Sequence, residues 1–265
     1  MGVAKSACTG DIGDAKKGVI ELRAYACWIS IWSFLLIGSL QAQPVGGFLG
    51  DNEAVSNKDI ASHFPRYSDS ESFLERWRIG VFRTDGGWME ISFVLSNLGP
   101  GDGHAAVDVK RYAHDIAAPK TKKSFYRWPK KFKPGTFKAD GKKLNLKIED
   151  CFLKQTKSGW QGRIKSWGYE LEFKLTRNGV AWKPGKGVAR YPDGNFHLYL
   201  PASSARFKGR ERSHGGAWGE FTGKAWFEHV ATNVPPHHLA ERWLGFSGKK
   251  GAYNINFLEI FLPKL

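Results

Sequence analysis

The sequence predicts an all-β protein built around one antiparallel barrel. The chain has 265 residues, of which 31 are Gly, 18 Phe, 11 Trp and 8 Tyr. A chain rich in glycine and aromatic residues, with many short polar breaks, favours strands joined by turns over helices. Beyond residue 70, apolar and polar residues alternate with the period of two that a half-buried strand requires. We therefore expect eight to ten strands in consecutive hairpins that close into a barrel and remove their unpaired edges.

The N-terminal part contains an apolar segment, Ala24–Leu40, and no charged residue lies between Arg23 and Asp51. Its apolar core of 14 to 17 residues is short for a membrane span and has the length of a signal-peptide core. Leu40-Gln41-Ala42 ends in a small residue suited to cleavage. The segment predicts a signal peptide over residues 1–42 and a secreted or periplasmic protein. The alternatives are an uncleaved membrane-anchor helix and a buried core segment.

The chain is strongly basic, with a net charge of +15 and an isoelectric point near 9.7. Removal of residues 1–42 leaves +14, so the charge belongs to the folded part. This balance indicates an acidic partner such as an anionic membrane surface, with solubility alone as the other interpretation. The chain has neither zinc-ligand spacing nor a basic helix, so we predict no nucleic-acid partner. Only Cys151 remains after cleavage, which excludes an intramolecular disulfide in the mature protein.

The strands and turns follow in order after a polar, Gly/Pro-rich lead-in segment, residues 43–70. Residues 71–265 form the predicted barrel domain. Asp85-Gly86 between two alternating runs predicts the first hairpin, and Ser158-Gly159 predicts a later turn. The alternation assigns one face of each predicted strand to the core: Met89, Ile91, Phe93 and Leu95, then Leu144, Leu146 and Ile148, then Tyr169, Leu171, Phe173 and Leu175, then Phe196, Leu198 and Leu200.

Residues 116–136 are basic and contain proline, and we expect them to form a long loop. Its central stretch, Lys120–Lys133, interleaves lysines with Phe125, Tyr126, Trp128 and Phe132. Such a segment suits a membrane surface or an acidic partner. The alternative is a solvated loop whose aromatic side chains cover one end of the barrel.

The segment from Gly223 to Trp243 has the highest density of aromatic and titratable residues. It holds two Trp, three His, two Glu and one Arg. Strand alternation places Trp226 and Glu228 on one face and Phe227 and His229 on the other, so Glu228 and His229 do not form a direct pair. Whichever of these two residues faces the interior is the candidate acid or base. A structural histidine with satisfied hydrogen bonds is the alternative for His229.

The second half of this segment begins at a double proline, Pro235-Pro236, which fixes an extended corner. His237–Trp243 then forms a short turn, a helix or a strand entry. Neighbouring histidines such as His237 and His238 diverge, so we predict neither a metal site nor a cofactor. Arg242 pairs with Glu228 or Glu241, or binds an anionic group. The predicted ligand-contacting residues are Trp226, Phe227, His229, His238, Arg242 and Trp243.

These residues carry a resemblance to a known family. The strand GKAWFEH and the stretch PHHLAERW resemble the yeast survival-factor family of lipocalin-like proteins, over roughly residues 72–262. The chain is more distantly similar to the superfamily that contains carotenoid hydratases and tocopherol cyclases. The resemblance implies a lipocalin-like (calycin) barrel, a lipid, sphingolipid-like or isoprenoid ligand, and a link to oxidative-stress survival. Those relatives have two tandem barrels, so we expect a fragment, a one-barrel member or a homodimer.

Three functions are therefore predicted. The first is the binding or transfer of a hydrophobic ligand in the barrel, without catalysis. The second is a hydratase, cyclase or isomerase acting on an isoprenoid or polyene, in which His229 or Glu228 transfers a proton. The third is a module that binds an acidic partner or membrane surface through Lys120–Lys133.

Overall fold

The described part of the protein is almost entirely antiparallel β-structure. A computed structural model describes residues 48, 70–98, 103–113, 124–140, 143–239, 242–250 and 253–261, the last two ranges as backbone only. The chain divides into the units Met1–Pro44 and Val45–Leu265, and all described residues lie in the second. The predicted signal segment and most of the lead-in segment lie outside the described residues.

The described secondary structure comprises fourteen strands and one short helix. The strands are β1 (Leu74–Arg83), β2 (Trp88–Ser96), β3 (His104–Ala113), β4 (Ser124–Lys131), β5 (Phe137–Ala139), β6 (Asn145–Ile148), β7 (Cys151–Thr156), β8 (Gly159–Ser166), β9 (Tyr169–Arg177), β10 (Val188–Tyr191), β11 (Gly194–Ser213), β12 (Gly219–Thr232), β13 (Arg242–Lys250) and β14 (Tyr253–Phe261), and the helix is α1 (Pro236–Leu239).

Twelve of the strands form one antiparallel sheet. Its order is β4-β3-β2-β1-β12-β11-β9-β8-β7-β6-β5, with β10 paired to β11, while β13 and β14 form a separate hairpin. The expected count of eight to ten strands was therefore too low. The additional strands include β5 and β10, which have three and four residues and are too short to show a period of two.

The predicted turns are confirmed. β1 and β2 are joined across residues 84–87, where Gly86 has a φ of 84°, a left-handed conformation that favours glycine. β7 and β8 are joined at residues 157–158. The β1–β2, β8–β9 and β11–β12 turns lie at the same end of the strands, because Arg83 pairs with Gly223 and Ser213 pairs with Tyr169. This end of the sheet is called the turn end below.

The sheet curls so that its two halves face each other across an apolar interior. Rings from strands that are not neighbours in the sheet meet there. Trp77 of β1 stacks on Phe137 of β5 at 5.8 Å, and Trp160 of β8 meets Phe227 of β12 edge-on at 5.0 Å. The middle of this interior is fully buried and includes Ile79, Met89, Ile91, Phe93, Phe207 and Phe227. The result is a curled half-barrel, consistent with an all-β barrel.

A second, smaller apolar cluster lies on the other face of the sheet. It joins Phe196, Leu198 and Leu200 of β11 to Val230 of β12 and Ala189 of β10. The predicted face of Phe196, Leu198 and Leu200 is thus confirmed, but it belongs to this second cluster. The opposite face of β11, with Tyr199, belongs to the interior.

The predicted basic loop is partly wrong, because residues 124–131 form the strand β4. Residues 114–123 lie outside the described part of the chain. Proline was the main reason to expect a loop, since it cannot donate a ladder hydrogen bond. β4 ends the sheet path, and an edge strand tolerates Pro129 without losing a ladder bond.

The double proline corner leads into α1, whose first residue is Pro236. Proline is well suited to the first position of a helix because its missing N–H has no partner there in any case. Among the residues that the structure describes, no helix reaches the length and apolar character needed to cross a bilayer.

Candidate functional site

β12 presents its two faces to different surroundings. Its pairing with β1 places Phe227 opposite Ile79 and His229 opposite Trp77, and all four side chains are buried in the interior. Trp226 and Glu228 point to the outer face. The predicted separation of Glu228 from His229 is therefore confirmed, and His229 is the member of the two that lies inside.

The partner of His229 is Glu75 on the neighbouring strand β1. His229 Nε2 and Glu75 Oε1 are 2.7 Å apart, and the two side chains are 0% and 1% exposed. Glu75 reaches the interior because it has the same parity in β1 as Trp77, Ile79 and Val81, so its side chain shares their face. A carboxyl group and an imidazole ring thus form a hydrogen-bonded pair that water does not reach in this structure.

His229 lies inside a row of nearly parallel rings. Trp77 stacks on one side at 5.3 Å and Tyr199 on the other at 5.9 Å, with interplanar angles of 15° and 16°. Beyond Trp77 the row continues with Phe137, and beyond Tyr199 it continues with His197. The hydroxyl oxygen of Tyr199 lies 3.5 Å from Nδ1 of His197. Because Trp77, His229 and Tyr199 occupy paired positions on three adjacent strands, the sheet itself sets this arrangement.

This arrangement can perform acid–base chemistry. A carboxylate that accepts a hydrogen bond from one imidazole nitrogen fixes the orientation and the tautomer of the ring. Because Nε2 is bonded to Glu75, any exchange of a proton between His229 and a ligand involves Nδ1. The low dielectric of the site strengthens each of these interactions relative to water.

The outer face of β12 is structural in character. Trp226 packs across Gly80, where an added Cβ would lie 1.9 Å from its ring, and it contacts Phe82 at 5.5 Å. Glu228 accepts hydrogen bonds from Arg78 at 2.7 Å and Arg76 at 3.4 Å. The structure therefore places the candidate acid Glu228 in an ion-pair ladder and Trp226 on the face opposite His229.

The remaining predicted site residues lie apart from this pair. His238 is half-exposed in α1 and pairs with Asp193 at 2.6 Å, and its ring contacts that of His237 at 4.1 Å. Arg242 and Trp243 begin β13, and their side chains lie outside the described part. In the ranges that the structure covers, no three His, Cys, Asp or Glu side chains group to hold a metal ion.

A second buried polar cluster lies at the turn end of the interior. Tyr169 donates a hydrogen bond to Glu211 at 2.8 Å, and Glu211 pairs with Arg83 at 2.8 Å and with Arg111 at 3.2 Å. Burial, together with the negative charge of Glu211, raises the pKa of Tyr169 well above its ordinary value. The phenol stays neutral and acts as a hydrogen-bond donor. Arg83 also pairs with Asp85 at 2.7 Å, so two arginines face two carboxylates, which indicates a structural role.

Glu75 is the site residue that the sequence analysis missed. The signal for it is its place in the run Phe73, Glu75, Trp77, Ile79 and Val81, where it is the charged residue on an otherwise apolar face. The sequence separates it from His229 by 154 residues, so spacing alone does not connect the two.

Comparison with known proteins supports the fold. No family model matches the chain, and no curated protein does. The chain is similar to the crystal structure of a Nitrosomonas europaea protein provisionally named AttH, with a TM-score of 0.52, 19% identity, and coverage of 74% of this chain and 61% of that one. It also matches CghA with Sch210972 (TM-score 0.48, 12% identity, 82% and 62% coverage) and kievitone hydratase from Nectria haematococca (0.47, 11%, 75% and 60%).

These likenesses concern the fold. The likeness to the Nitrosomonas europaea protein agrees with the antiparallel, barrel-like fold that the sequence predicts. The likenesses do not reach the yeast survival-factor family, which stays a prediction. The chain spans about three fifths of the length of the structures it matches.

Proposed function

We propose that this protein is a hydratase-type lyase or isomerase acting on an apolar, unsaturated molecule of the isoprenoid or polyene class. The observation that carries the proposal is the fully buried hydrogen bond between Glu75 and His229, whose imidazole ring lies between the nearly parallel rings of Trp77 and Tyr199. A purely apolar carrier has no need of an acid–base pair in its interior, because burying polar groups costs free energy.

The proposed chemistry is proton transfer to a carbon–carbon double bond. Protonated His229 gives its proton to one alkene carbon, and the positive charge develops on the other. In a hydration, water adds at that second carbon and returns its extra proton to the His229 imidazole. In an isomerisation, the His229 imidazole instead takes a proton from a carbon next to the cation, and the electrons of that C–H bond form the new double bond. Both cycles regenerate the imidazolium, which Glu75 positions and stabilises.

The aromatic row supports the same proposal. Cations are attracted to the faces of aromatic rings, and Trp is the strongest of these partners. Trp77 and Tyr199 lie on either side of His229, so a carbocation formed next to the imidazole has ring faces within reach. The same rings offer stacking surface to a conjugated ligand.

The second candidate is the non-catalytic carrier of a hydrophobic ligand. The aromatic lining of the interior favours it, because apolar area removed from water contributes about 25 cal/mol per Å². Membership in the survival-factor family, a link to oxidative stress, and a secreted, periplasmic or membrane-anchored location are proposals that rest on the sequence alone.

Turnover assays on a panel of carotenoids and prenylated compounds test the proposal. Loss of conjugation by absorbance, and a mass gain equal to one water, report hydration. We expect His229→Gln to abolish turnover and Glu75→Gln to reduce it strongly. The matched control is Tyr169→Phe, which breaks a buried hydrogen bond in the other polar cluster and is expected to retain turnover.

The outcomes separate the two candidates. Turnover that survives in a folded His229→Gln variant overturns the assignment of the proton-transfer residue. Saturable binding of the same compounds without turnover assigns the protein to the carriers. Equal losses in Tyr169→Phe and His229→Gln would show that the assay reports stability rather than chemistry.

A further inference from the structure

Exposed aromatic side chains concentrate near the N-terminal half of the edge strand β4. The described part of the chain has seven large hydrophobic side chains that are exposed, and Tyr112, Phe125, Tyr126 and Trp167 are four of them. Phe125 and Tyr126 project from opposite faces of β4, with 49% and 47% of their surface exposed. Phe125 contacts Tyr112 at 4.7 Å.

Trp167 joins the same group through the β8–β9 turn. Ser166, the residue before it, donates a hydrogen bond to the backbone oxygen of Trp128 in β4 at 3.3 Å. Trp128 in turn stacks on Tyr126 at 5.8 Å. The indole of Trp167 is 72% exposed, the largest exposed fraction among the aromatic side chains of this group. The aromatic group therefore spans β3, β4 and the β8–β9 turn at the turn end.

β4 and the segment that follows it are basic. Residues 124–139 contain five Lys or Arg and neither Asp nor Glu. Arg127 pairs with Asp108 and Lys130 with Glu149. Lys131 and Lys133 are exposed and have no ion-pair partner among the described residues. Edge protection against strand pairing accounts for these lysines and for Pro129, but it does not account for the exposed aromatic rings at the other end of β4.

We propose that the β4 edge, consisting of Phe125–Lys133 with Tyr112 and Trp167, docks on the surface of an anionic phospholipid bilayer. Tyr and Trp favour the level of the lipid headgroups, where the ring is partly buried and its polar atom stays hydrated. Unpaired lysines next to them are attracted to anionic lipid. The combination of amphipathic rings and uncompensated positive charge along one exposed edge matches this surface in both respects.

Sedimentation of the purified full chain with phosphatidylcholine vesicles, with and without phosphatidylserine, tests the docking. The uncharged segment Ala24–Leu40 carries no preference for lipid charge, so the difference between the two vesicle types isolates the contribution of charge. Lys131→Gln/Lys133→Gln is expected to reduce partition into serine-containing vesicles about 30-fold. Lys157→Gln/Lys174→Gln removes the same charge from exposed positions elsewhere and is expected to bind as the parent chain does.

The aromatic half has its own pair of variants. Tyr126→Ser/Trp167→Ser is expected to weaken partition by roughly tenfold per ring, the order of burying one large side chain. Trp182→Ser, at an exposed Trp in a different segment, is the control. Binding should also weaken as salt rises toward about 1 M, where the screening length falls to about 3 Å.

Several results overturn the proposal. These are equal partition into both vesicle types, and full binding by either β4 variant. A further one is self-association of the parent chain that the β4 variants abolish, since it would assign this edge to a second copy. The docking does not depend on the proposed chemistry. Glu75→Leu is expected to bind vesicles normally, and failure of docking would leave the turnover tests unaffected.

Discussion

The hydrogen bond between Glu75 and His229 carries the proposed function, and a double-mutant cycle measures its strength. The variants are Glu75→Leu, His229→Leu and the combination of both. The two side chains are 1% and 0% exposed, so each replacement acts on a buried position. The cycle isolates the pairwise term because contributions that each residue makes to other neighbours cancel to first order.

The expected magnitude follows from burial. Removal of one member of a buried charged pair leaves the other without compensation and costs about 3–5 kcal/mol. Replacement of both members by apolar residues of similar size is often close to neutral. The coupling free energy of the cycle is therefore expected to be about 3 kcal/mol or more. A hydrogen bond between neutral groups would give about 1 kcal/mol.

The assay is unfolding in urea, followed by Trp fluorescence and circular dichroism for all four proteins. The matched control is the exposed pair Lys208–Glu220, at 3.6 Å with 68% and 70% of the side chains exposed. Its cycle, with both residues changed to Gln, is expected to give less than about 1 kcal/mol. A Glu75–His229 coupling within about 0.5 kcal/mol of zero would refute the reasoning, since distant residues give such additivity.

Three further predictions test other parts of the structure. Gly80→Ala is expected to destabilise the protein by about 1–3 kcal/mol, because its methyl group overlaps the ring of Trp226; an unchanged melting temperature would contradict the packing of this ring on the outer face. Because burial and Glu211 raise the pKa of Tyr169, its stabilising contribution is complete below about pH 10 and declines as the pH rises through the raised value. Tyrosinate absorbance of Tyr169→Phe should therefore lack a late alkaline component, and identical titrations would count against the buried phenol. Intact mass of protein exported by a secretory host should show cleavage after Ala42, whereas an unprocessed N-terminus would favour the anchor.

The regular part of the fold follows from alternation in the sequence. In β9, Tyr169, Leu171, Phe173 and Leu175 are all buried, as the period of two predicts. The curl of the sheet does not follow from it, because alternation describes one strand and carries no information on which strands face each other. The contact between Trp77 and Phe137 joins β1 to β5 across the interior and has no local sequence signal.

The candidate site was predictable in part. Alternation separates Glu228 from His229, but it does not say which face is inside. Burial along β12 does not distinguish its inner face from its outer face, because the last eight residues of the strand are buried on both faces. The outer face is covered because Trp226 packs on Gly80 and Glu228 pairs with arginines, contacts that depend on the β1–β12 register.

Full burial of the Glu75–His229 pair also constrains the kind of ligand that the site accepts. A ligand that reaches His229 must replace side-chain contacts that now cover the ring, so its own apolar area has to match the area it displaces. A polar ligand would leave its groups without partners in an interior lined by Ile79, Phe227 and Trp77, and each unpaired group costs free energy. A flat conjugated ligand has the apolar area to replace the displaced contacts and has no polar groups to leave unpaired. It can take the place of one ring in the row from Trp77 to Tyr199 and keep the stacking on His229. The packing around the acid–base pair therefore supports the proposed preference for conjugated polyenes and isoprenoids, as does the chemistry of the pair.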